Sequence, residues 1–169
     1  MIVFETEHLL FRPLLPGDLD SLAKLYADPE VMRFIGGPRN KEEVRRALDS
    51  YIREYQLYGH AFFAIITKDG QDFIGHCRLL NQEIEGKTEM ELSYVLAKTY
   101  WQHGLAVEGI QALKDYGLQQ QGYPRLISLI HPDNQPSIHI AEKIGMHYEK
   151  DVYQWEQTYR LYAADQPTA

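Results

Sequence analysis

Apolar residues recur at two different spacings along the chain, and the change between these spacings predicts a mixed architecture. Two segments have helical spacing. One runs from its cap, Asp18, to Tyr26, and the other begins at the capping pair Asn40 and Glu43 and runs to about Tyr58, where Gly59 ends it. Strand-like apolar runs lie before, between and after the helical segments. Taken in order, the predicted elements are β-α-α-β-β-β-α-β-α-β-β.

The middle of the chain predicts an antiparallel meander that leads into a helix. Polar segments that contain glycine, including 81–88, are expected to form hairpin loops. A helix predicted over 104–121 joins the last strand of the meander to the apolar run 125–130, so these two strands should be parallel. We therefore expect a mixed α/β fold, a mostly antiparallel twisted sheet with helices on both faces, in a single domain of residues 1–169. The three strands of the meander are expected at 61–67, 73–80 and 89–96.

Composition and charge remove several classes of function. The 169 residues carry a net charge of −7, which argues against a protein that binds nucleic acid or a membrane surface and mildly suits a cationic substrate. The single cysteine, Cys77, excludes an internal disulfide and a cysteine-rich zinc site. The seven histidines lack a close ligand pair, so no metal is expected. Because no signal peptide or membrane-length apolar run is apparent, we expect a cytoplasmic protein.

The segment from Tyr94 to Glu108 is a candidate phosphate site. It reads as the end of a strand, a short loop and the start of a helix, with the small residues Gly104 and Ala106 at the helix start. The first turn of a helix has unpaired N–H groups and a partial positive charge. Small side chains allow an anion to approach that backbone, so the segment predicts a phosphate cradle.

Three motifs in a fixed order give the chain a family resemblance. Leu9–Leu15 is similar to an opening strand, 91–107 ends in Tyr-Trp-x-x-Gly-x-Ala, and 132–146 contains Pro-x-Asn-x-x-Ser followed by Lys-x-Gly. Together they resemble the GNAT superfamily of acyl-CoA-dependent N-acyltransferases. The branch most similar to the chain is that of the ribosomal-protein N-terminal acetyltransferases.

The resemblance implies acetyl-CoA as cosubstrate, with its pyrophosphate on the backbone N–H groups from Gln102 to Val107. It also implies that strands 91–97 and 125–131 splay apart to admit the pantetheine arm. Gln102-His103 is a departure, because many relatives have Gly-Lys there. The implied cofactor-binding residues are Val95, Leu96, Trp101, Gln102, His103, Gly104, Leu105, Ala106, Val107, Asn134 and Ser137.

Three polar side chains are candidates for more specific roles, each with a structural alternative. By resemblance, Asn134 contacts the cofactor arm and Ser137 protonates the leaving thiolate; the alternative is that Asn134 only caps the helix that follows. Glu91 is the candidate base that accepts a proton from the amine through a water. Its alternatives are an anchor for a cationic substrate or a strand-surface charge. Glu89, nearer the hairpin, is the weaker candidate.

Two functions from different classes follow from these features. The first is an N-acetyltransferase that moves an acetyl group directly from acetyl-CoA to a primary amine, either a protein N-terminus or a small molecule. The second is a non-catalytic sensor or partner module that binds acyl-CoA on the same fold. Neither requires nucleic acid, a membrane or a metal. The oligomeric state stays open. Many members of the family dimerise, so a homodimer is possible, but no apolar pattern in this sequence specifies one.

Overall fold

In the computed structural model, which describes residues 1–102 and 104–167, strands and helices follow the predicted order after one additional short strand, Phe4–Glu5, that was not predicted. The helices are α1 (Leu19–Tyr26), α2 (Lys41–Tyr58), α3 (Gly104–Asp115) and α4 (Gln135–Lys143). A π-helical turn over Tyr116–Gln120 extends α3, and short 3-10 turns precede α1 and α3. The strands are β1 (Phe4–Glu5), β2 (Leu9–Pro13), β3 (Phe62–Thr67), β4 (Phe73–Ile84), β5 (Lys87–Leu96), β6 (Arg125–Ile130), β7 (His147–Gln154) and β8 (Gln157–Asp165).

The strands of the described part form one eight-stranded sheet in the order β1-β2-β3-β4-β5-β6-β8-β7. Strands β5 and β6 are parallel and are joined by α3, and they pair at a single position, Glu91 with Ile127. The other neighbouring strands are antiparallel. This confirms the mixed, mostly antiparallel fold, and the single pair is consistent with the expected splay of β5 and β6.

The sheet is covered on both faces, as β3 illustrates. All six residues of β3 are buried. Successive side chains of a strand point to opposite faces, so a strand covered on both sides is apolar throughout. Phe63 and Ile65 belong to the core cluster that includes residues of α3 and α4. Phe62, Ala64 and Ile66 belong to the cluster that includes residues of α1 and α2.

Two local predictions are wrong. Residues 81–88 are not an open loop: β4 and β5 stay paired to Ile84 and Lys87. Only Glu85 and Gly86 form the turn, with φ of 50° and 80°, because two left-handed residues match the twist of the strands.

The second error concerns Asp18, which the pattern places as the cap of α1. It makes no side-chain capping bond to α1. Its carboxylate instead accepts two hydrogen bonds from the Arg12 guanidinium at 2.9 Å and one from the backbone N–H of Leu15 at 2.8 Å. In contrast, the capping box of Asn40 and Glu43 at the start of α2 is confirmed.

A bulge in β4 brings its backbone unusually close to β5. The register between β3 and β4 shifts between Ile65 and Ile66. At the shift, Gly75 has φ of 151°, and a Cβ on Gly75 would lie 2.1 Å from the carbonyl oxygen of Val95. Only glycine fits this approach. The bulge therefore positions the part of β5 at which the site is built.

No helix in the described residues is both long enough and apolar enough to cross a membrane.

Candidate active site

The gap between β5 and β6 lies on one side of their single pairing point, and an ion cluster bridges the strands on the other side. Arg125, two residues before Ile127, donates to Glu89 of β5 at 3.1 Å and to Glu149 of β7 at 2.6 Å. Glu89 and Glu149 raise the pKa of Arg125, so this cation stays charged. Glu89, the weaker candidate for the base, thus lies in this cluster, away from the gap. On the far side of the pair the strands diverge.

Two cavities meet at the opened end of the gap. The larger has a volume of about 500 Å³ and extends from β5 and β6 to α1, α2 and the loop before α2. The smaller, of about 280 Å³, extends from β5 toward Trp101 and the start of α4. A donor and an acceptor could therefore reach one point from opposite directions. The residues that line both cavities are Phe34, Ile35, Tyr94, Val95, Asn134 and Ser137.

The smaller cavity ends near the predicted phosphate cradle. The Trp101 indole Nε1 donates to the carbonyl oxygen of Leu96 at 2.8 Å and so fixes the loop to the end of β5. Ala106 is buried in the core, whereas Gly104 is exposed and a Cβ there would meet nothing within 4 Å. The N–H groups of the first turn of α3 have no partners within the helix. His103, predicted to take part here, lies outside the described residues.

Asn134 acts as a cap and still has an unused donor. Its Oδ1 accepts from the backbone N–H of Ser137 at 3.3 Å, which is the predicted capping alternative. Its Nδ2 makes no hydrogen bond within the described part of the chain and lies at the wall of both cavities. Capping and binding a ligand are therefore compatible. With the open helix terminus and the splayed strands, this free amide gives a donor set that fits an acyl-CoA.

Tyr94 is a site residue that the sequence pattern missed. Its hydroxyl is buried and has no hydrogen-bond partner of standard geometry among the described residues. Burial raises the pKa of Tyr94 to about 12, and the nearby Ser137 hydroxyl opposes part of that rise. Strand alternation placed Tyr94 on the face opposite Glu91, with core residues Leu92 and Leu96. Because the splay opens the edge of β5, residues from both faces reach the cavities.

Glu91 lies at the apex of the gap, on the wall of the larger cavity, and is only 3% exposed. Arg78 and Gln82 each donate to its Oε1 at 3.2 Å, and the backbone N–H of Leu129 donates to it as well. Burial raises the pKa of Glu91, and these donors counteract the rise. The carboxyl is therefore not a surface charge. It is positioned where it could exchange a proton with a group in the cavity.

Uncharged hydrogen-bonding groups form a further wall of the larger cavity. The Tyr26 hydroxyl lies 2.7 Å from His76 Nε2 and 3.0 Å from the Tyr51 hydroxyl. Burial, with smaller contributions from the cations Arg78 and Arg39, lowers the pKa of His76 to about 3, so the imidazole is neutral near pH 7. His76 pairs with Val95 across β4 and β5, so the hydrogen-bonded series Tyr51–Tyr26–His76 ends next to the junction of the cavities.

Among the described residues, no group of three or more His, Cys, Asp or Glu side chains has the arrangement of a metal site.

Comparison with known proteins identifies the family. Residues 8–147 match the family model described as the acetyltransferase (GNAT) domain. A relative from Bacillus licheniformis, named an uncharacterized N-acetyltransferase p20, is 31% identical over 94% of this chain and 97% of its own length.

Solved structures have the same fold. An acetyltransferase of the GNAT family from Bacillus anthracis superposes with a TM-score of 0.81 at 25% identity, covering 98% of each chain. A ribosomal L7/L12 α-N-protein acetyltransferase solved in complex with coenzyme A superposes with a TM-score of 0.79 at 18% identity, covering 98% of each chain. At that identity, the second likeness concerns the fold alone.

Proposed function

Because this chain belongs to the GNAT acetyltransferase family, we propose that it transfers an acetyl group from acetyl-CoA directly to a primary amine, with residues 1–169 as one catalytic domain. The observation that carries the proposal is the meeting of the two cavities at Tyr94, Val95, Asn134 and Ser137. Two substrates that approach from opposite sides can react without an acyl-enzyme. The buried Cys77 does not line either cavity, which also favours direct transfer.

The smaller cavity is the proposed donor side. The backbone N–H groups of Gln102 and of the first turn of α3 bind the diphosphate, and the partial positive charge of the helix terminus favours it. The backbone of β5 near Val95 and Leu96 and the free amide of Asn134 hold the pantetheine arm. The Leu96 carbonyl already accepts from Trp101 and has one acceptor position left, so its N–H is the proposed contact to the arm. When bound, acetyl-CoA supplies an activated thioester carbonyl. The coenzyme A complex of the structurally similar acetyltransferase supports this choice.

The larger cavity is the proposed acceptor side. Attack on the carbonyl carbon requires a neutral amine, so an ammonium substrate first loses a proton. Glu91 accepts that proton through a water, and Arg78, Gln82 and the Leu129 N–H keep the carboxylate oriented. As the C–N bond forms, the C–S bond breaks. Ser137 donates a proton to the departing thiolate and regains one, through solvent, from the nitrogen that has formed the new C–N bond. A backbone N–H near Val95 stabilises the charge that develops on the carbonyl oxygen.

The donor assignment is tested at Gly104, where a side chain meets no steric obstacle. We expect Gly104→Glu to weaken acetyl-CoA binding at least tenfold, because its carboxylate repels the diphosphate. The isosteric variant Gly104→Gln controls for bulk and should bind more tightly than Gly104→Glu. Isothermal titration calorimetry measures both. Wild-type affinity in Gly104→Glu would refute the cradle.

Catalysis is tested by a screen of small amines and peptides with free N-termini, in which thiol release reports acetyl transfer. We expect at least one class of acceptor to turn over. The screen is repeated with Glu91→Gln and Ser137→Ala, which should be slower while still binding acetyl-CoA. If acetyl-CoA binds and no amine is acetylated, the chain is a sensor or partner module. Light scattering of the same sample determines whether it is a homodimer.

A further inference from the structure

We infer that the acceptor is a small amine that also carries a carboxylate, and that this carboxylate binds the Arg39 guanidinium. The inference deepens the proposed function and rests on it, because it specifies the substrate of the larger cavity. Arg39 has no ion pair among the described residues and no role in the proposed chemistry.

Arg39 is held at the cavity wall without an acidic partner. It lies in the loop between α1 and α2, where its backbone N–H donates to the carbonyl oxygen of Tyr26 at 2.9 Å. Its guanidinium lies over the Tyr26 ring, 5.3 Å from the centroid. The side chain is half-buried and forms no ion pair within the described part of the chain. This cation–π contact restrains the guanidinium and leaves its donors available.

The charges of the cavity do not balance. Its charged lining residues are Arg39, Arg78 and Glu91. Arg78 is engaged by Glu91 at 3.2 Å and by the Ser93 hydroxyl at 2.6 Å. The neighbouring Tyr26–His76 pair is uncharged. Arg39 therefore remains as the cation without a counter-ion, at a site that also holds the proposed base for an amine.

An unpaired guanidinium in a partly buried cavity favours a ligand with an anionic group. Arginine binds carboxylates through two parallel hydrogen bonds, which fixes both the position and the orientation of the ligand. A polyamine would have to place a second ammonium near Arg39, so it is disfavoured. The expectation of a cationic substrate came from the net charge of −7. That acidity lies outside this cavity, for example at Asp133 and Glu156, which line the adjoining open mouth.

The size and walls of the cavity favour a small molecule with an apolar body. A volume of about 500 Å³ is within the range of small-molecule sites. Aromatic rings make up much of the wall, and the Tyr51 and Phe62 rings stack with centroids 3.9 Å apart. An amino acid with an apolar side chain meets all three requirements: an amine for Glu91, a carboxylate for Arg39 and an apolar group for the rings. The Phe, Tyr and Trp residues of the wall are Tyr26, Phe34, Tyr51, Phe62, Tyr94, Trp155 and Tyr159.

Matched amine pairs test the inference. Phenylalanine is compared with phenethylamine, and leucine with isoamylamine, because the members of each pair differ only in the carboxylate. Thiol release with acetyl-CoA gives kcat/KM at equal concentrations of free amine. We expect the amino acid to be preferred by about 10- to 100-fold, the range of a charge-assisted hydrogen-bonded pair. In Arg39→Met, the kcat/KM values of the two members of a pair should become similar. In Arg39→Lys, the ratio of the two values should be intermediate.

A surface arginine provides the matched control. Arg46 on α2 is exposed and lines no cavity, so Arg46→Met should keep the wild-type ratio. Calorimetric titration with acetyl-CoA shows whether Arg39→Met is folded, since Arg39 does not line the donor cavity.

Several results would overturn the inference while leaving acetyl transfer intact. They are equal turnover of both members of each pair, an unchanged ratio in folded Arg39→Met, or a peptide N-terminus as the best acceptor. Preference for the aminophosphonate analogue of phenylalanine over phenylalanine would refute the choice of a carboxylate. If acetyl-CoA binds and no amine reacts, the proposed function itself fails.

Discussion

Two hydroxyl groups at the junction of the cavities can serve the leaving thiolate. Ser137 is half-buried in the first turn of α4, and the Tyr94 hydroxyl is buried beside it. Because burial raises the pKa of Tyr94 to about 12, the phenol stays protonated near pH 7. We propose that it donates a hydrogen bond to Ser137 when Ser137 gives its proton to the thiolate. In this arrangement Ser137 is the proposed acid and Tyr94 positions it.

The two hydroxyls should therefore act as one unit. We expect Ser137→Ala to lower kcat about 100-fold, the lower end of the range for a general acid. Tyr94→Phe should lower it less, and the double variant should be no slower than Ser137→Ala. Single-turnover rates of thiol release measure the cycle. Effects that simply add would show that Tyr94 works independently of Ser137.

The carboxyl of Glu91 should impose an acidic limb on the pH profile. Burial raises its pKa above the ordinary value of 4.5, and only the ionised form accepts a proton. Acetyl transfer should therefore fall as the pH drops through this raised pKa. In Glu91→Gln, kcat should be at least tenfold lower and this limb should be absent. Glu83→Gln, an exposed change on β4, is the control. An unaltered profile in Glu91→Gln would exclude the base role.

At the level of single residues, the sequence predicts chemical types better than it predicts partners. Glu91 was identified by its place in the motif, but its contacts with Arg78, Gln82 and Leu129 depend on the register of three strands. Arg39 was not identified, because a loop arginine without a partner has no distinctive pattern. Such information is contained in the tertiary packing and not in local spacing.

At the level of elements, periodicity predicted what local physics determines. The α2 capping box and the end of this helix at Gly59 were both predicted, and the structure shows that Gly59 is left-handed. The paired ends of β4 and β5 over 81–88 were missed because their residues are mostly polar. Strand pairing there is maintained by backbone hydrogen bonds and a tight turn. The splay of β5 and β6 came from the family resemblance. The Arg125 cluster that closes one side of it spans three strands, which no local pattern predicts.

The bulge at Gly75 should connect stability with donor binding. In Gly75→Ala, a Cβ that would lie 2.1 Å from the Val95 carbonyl oxygen forces β5 to move, and φ of 151° adds strain. We expect a loss of about 1–3 kcal/mol in unfolding free energy and weaker acetyl-CoA binding. Gly17→Ala, which meets nothing within 4 Å and needs no unusual φ, is the control. Denaturant titration and calorimetry measure the two effects, and an unchanged pair of values would contradict the role of the bulge.

At the level of the whole molecule, net charge was a poor guide to the site. The value of −7 describes the whole chain, whereas the larger cavity holds two arginines and one buried carboxyl. A field at the surface and the charge within a half-enclosed cavity are set by different residues. The single-domain prediction also remains a proposal. The length of the chain permits it, and folding of the isolated chain would test it.

The N-terminal segment is tied to α3 by a contact that should make stability depend on pH. Glu108 of α3 accepts from the Thr6 hydroxyl, from the backbone N–H of His8 at 2.9 Å and from His8 Nδ1 at 2.9 Å. The Glu108 carboxylate raises the pKa of His8 above 6.5, with a smaller contribution from Glu7 that Lys68 opposes. The hydrogen bonds from Thr6 and His8 hold the pKa of Glu108 below 4.5, against the opposing effect of burial.

The direction of each pKa shift determines how the stability of the fold changes with pH. A raised pKa of His8 stabilises the fold below pH 6.5, and this contribution is lost as the pH rises through the folded value. The lowered pKa of Glu108 stabilises the fold above pH 4.5, and this contribution is lost as the pH falls through the folded value.

The melting temperature of the wild type should therefore decline from pH 6 to pH 8 more than that of His8→Gln. His147→Gln removes an exposed histidine that has no ion pair in the described residues, and it should keep the wild-type slope. Equal slopes for His8→Gln and the wild type would show that the contact with Glu108 makes no net contribution. Because α3 begins at the proposed diphosphate site, bound acetyl-CoA should raise both melting curves without changing the difference between their slopes.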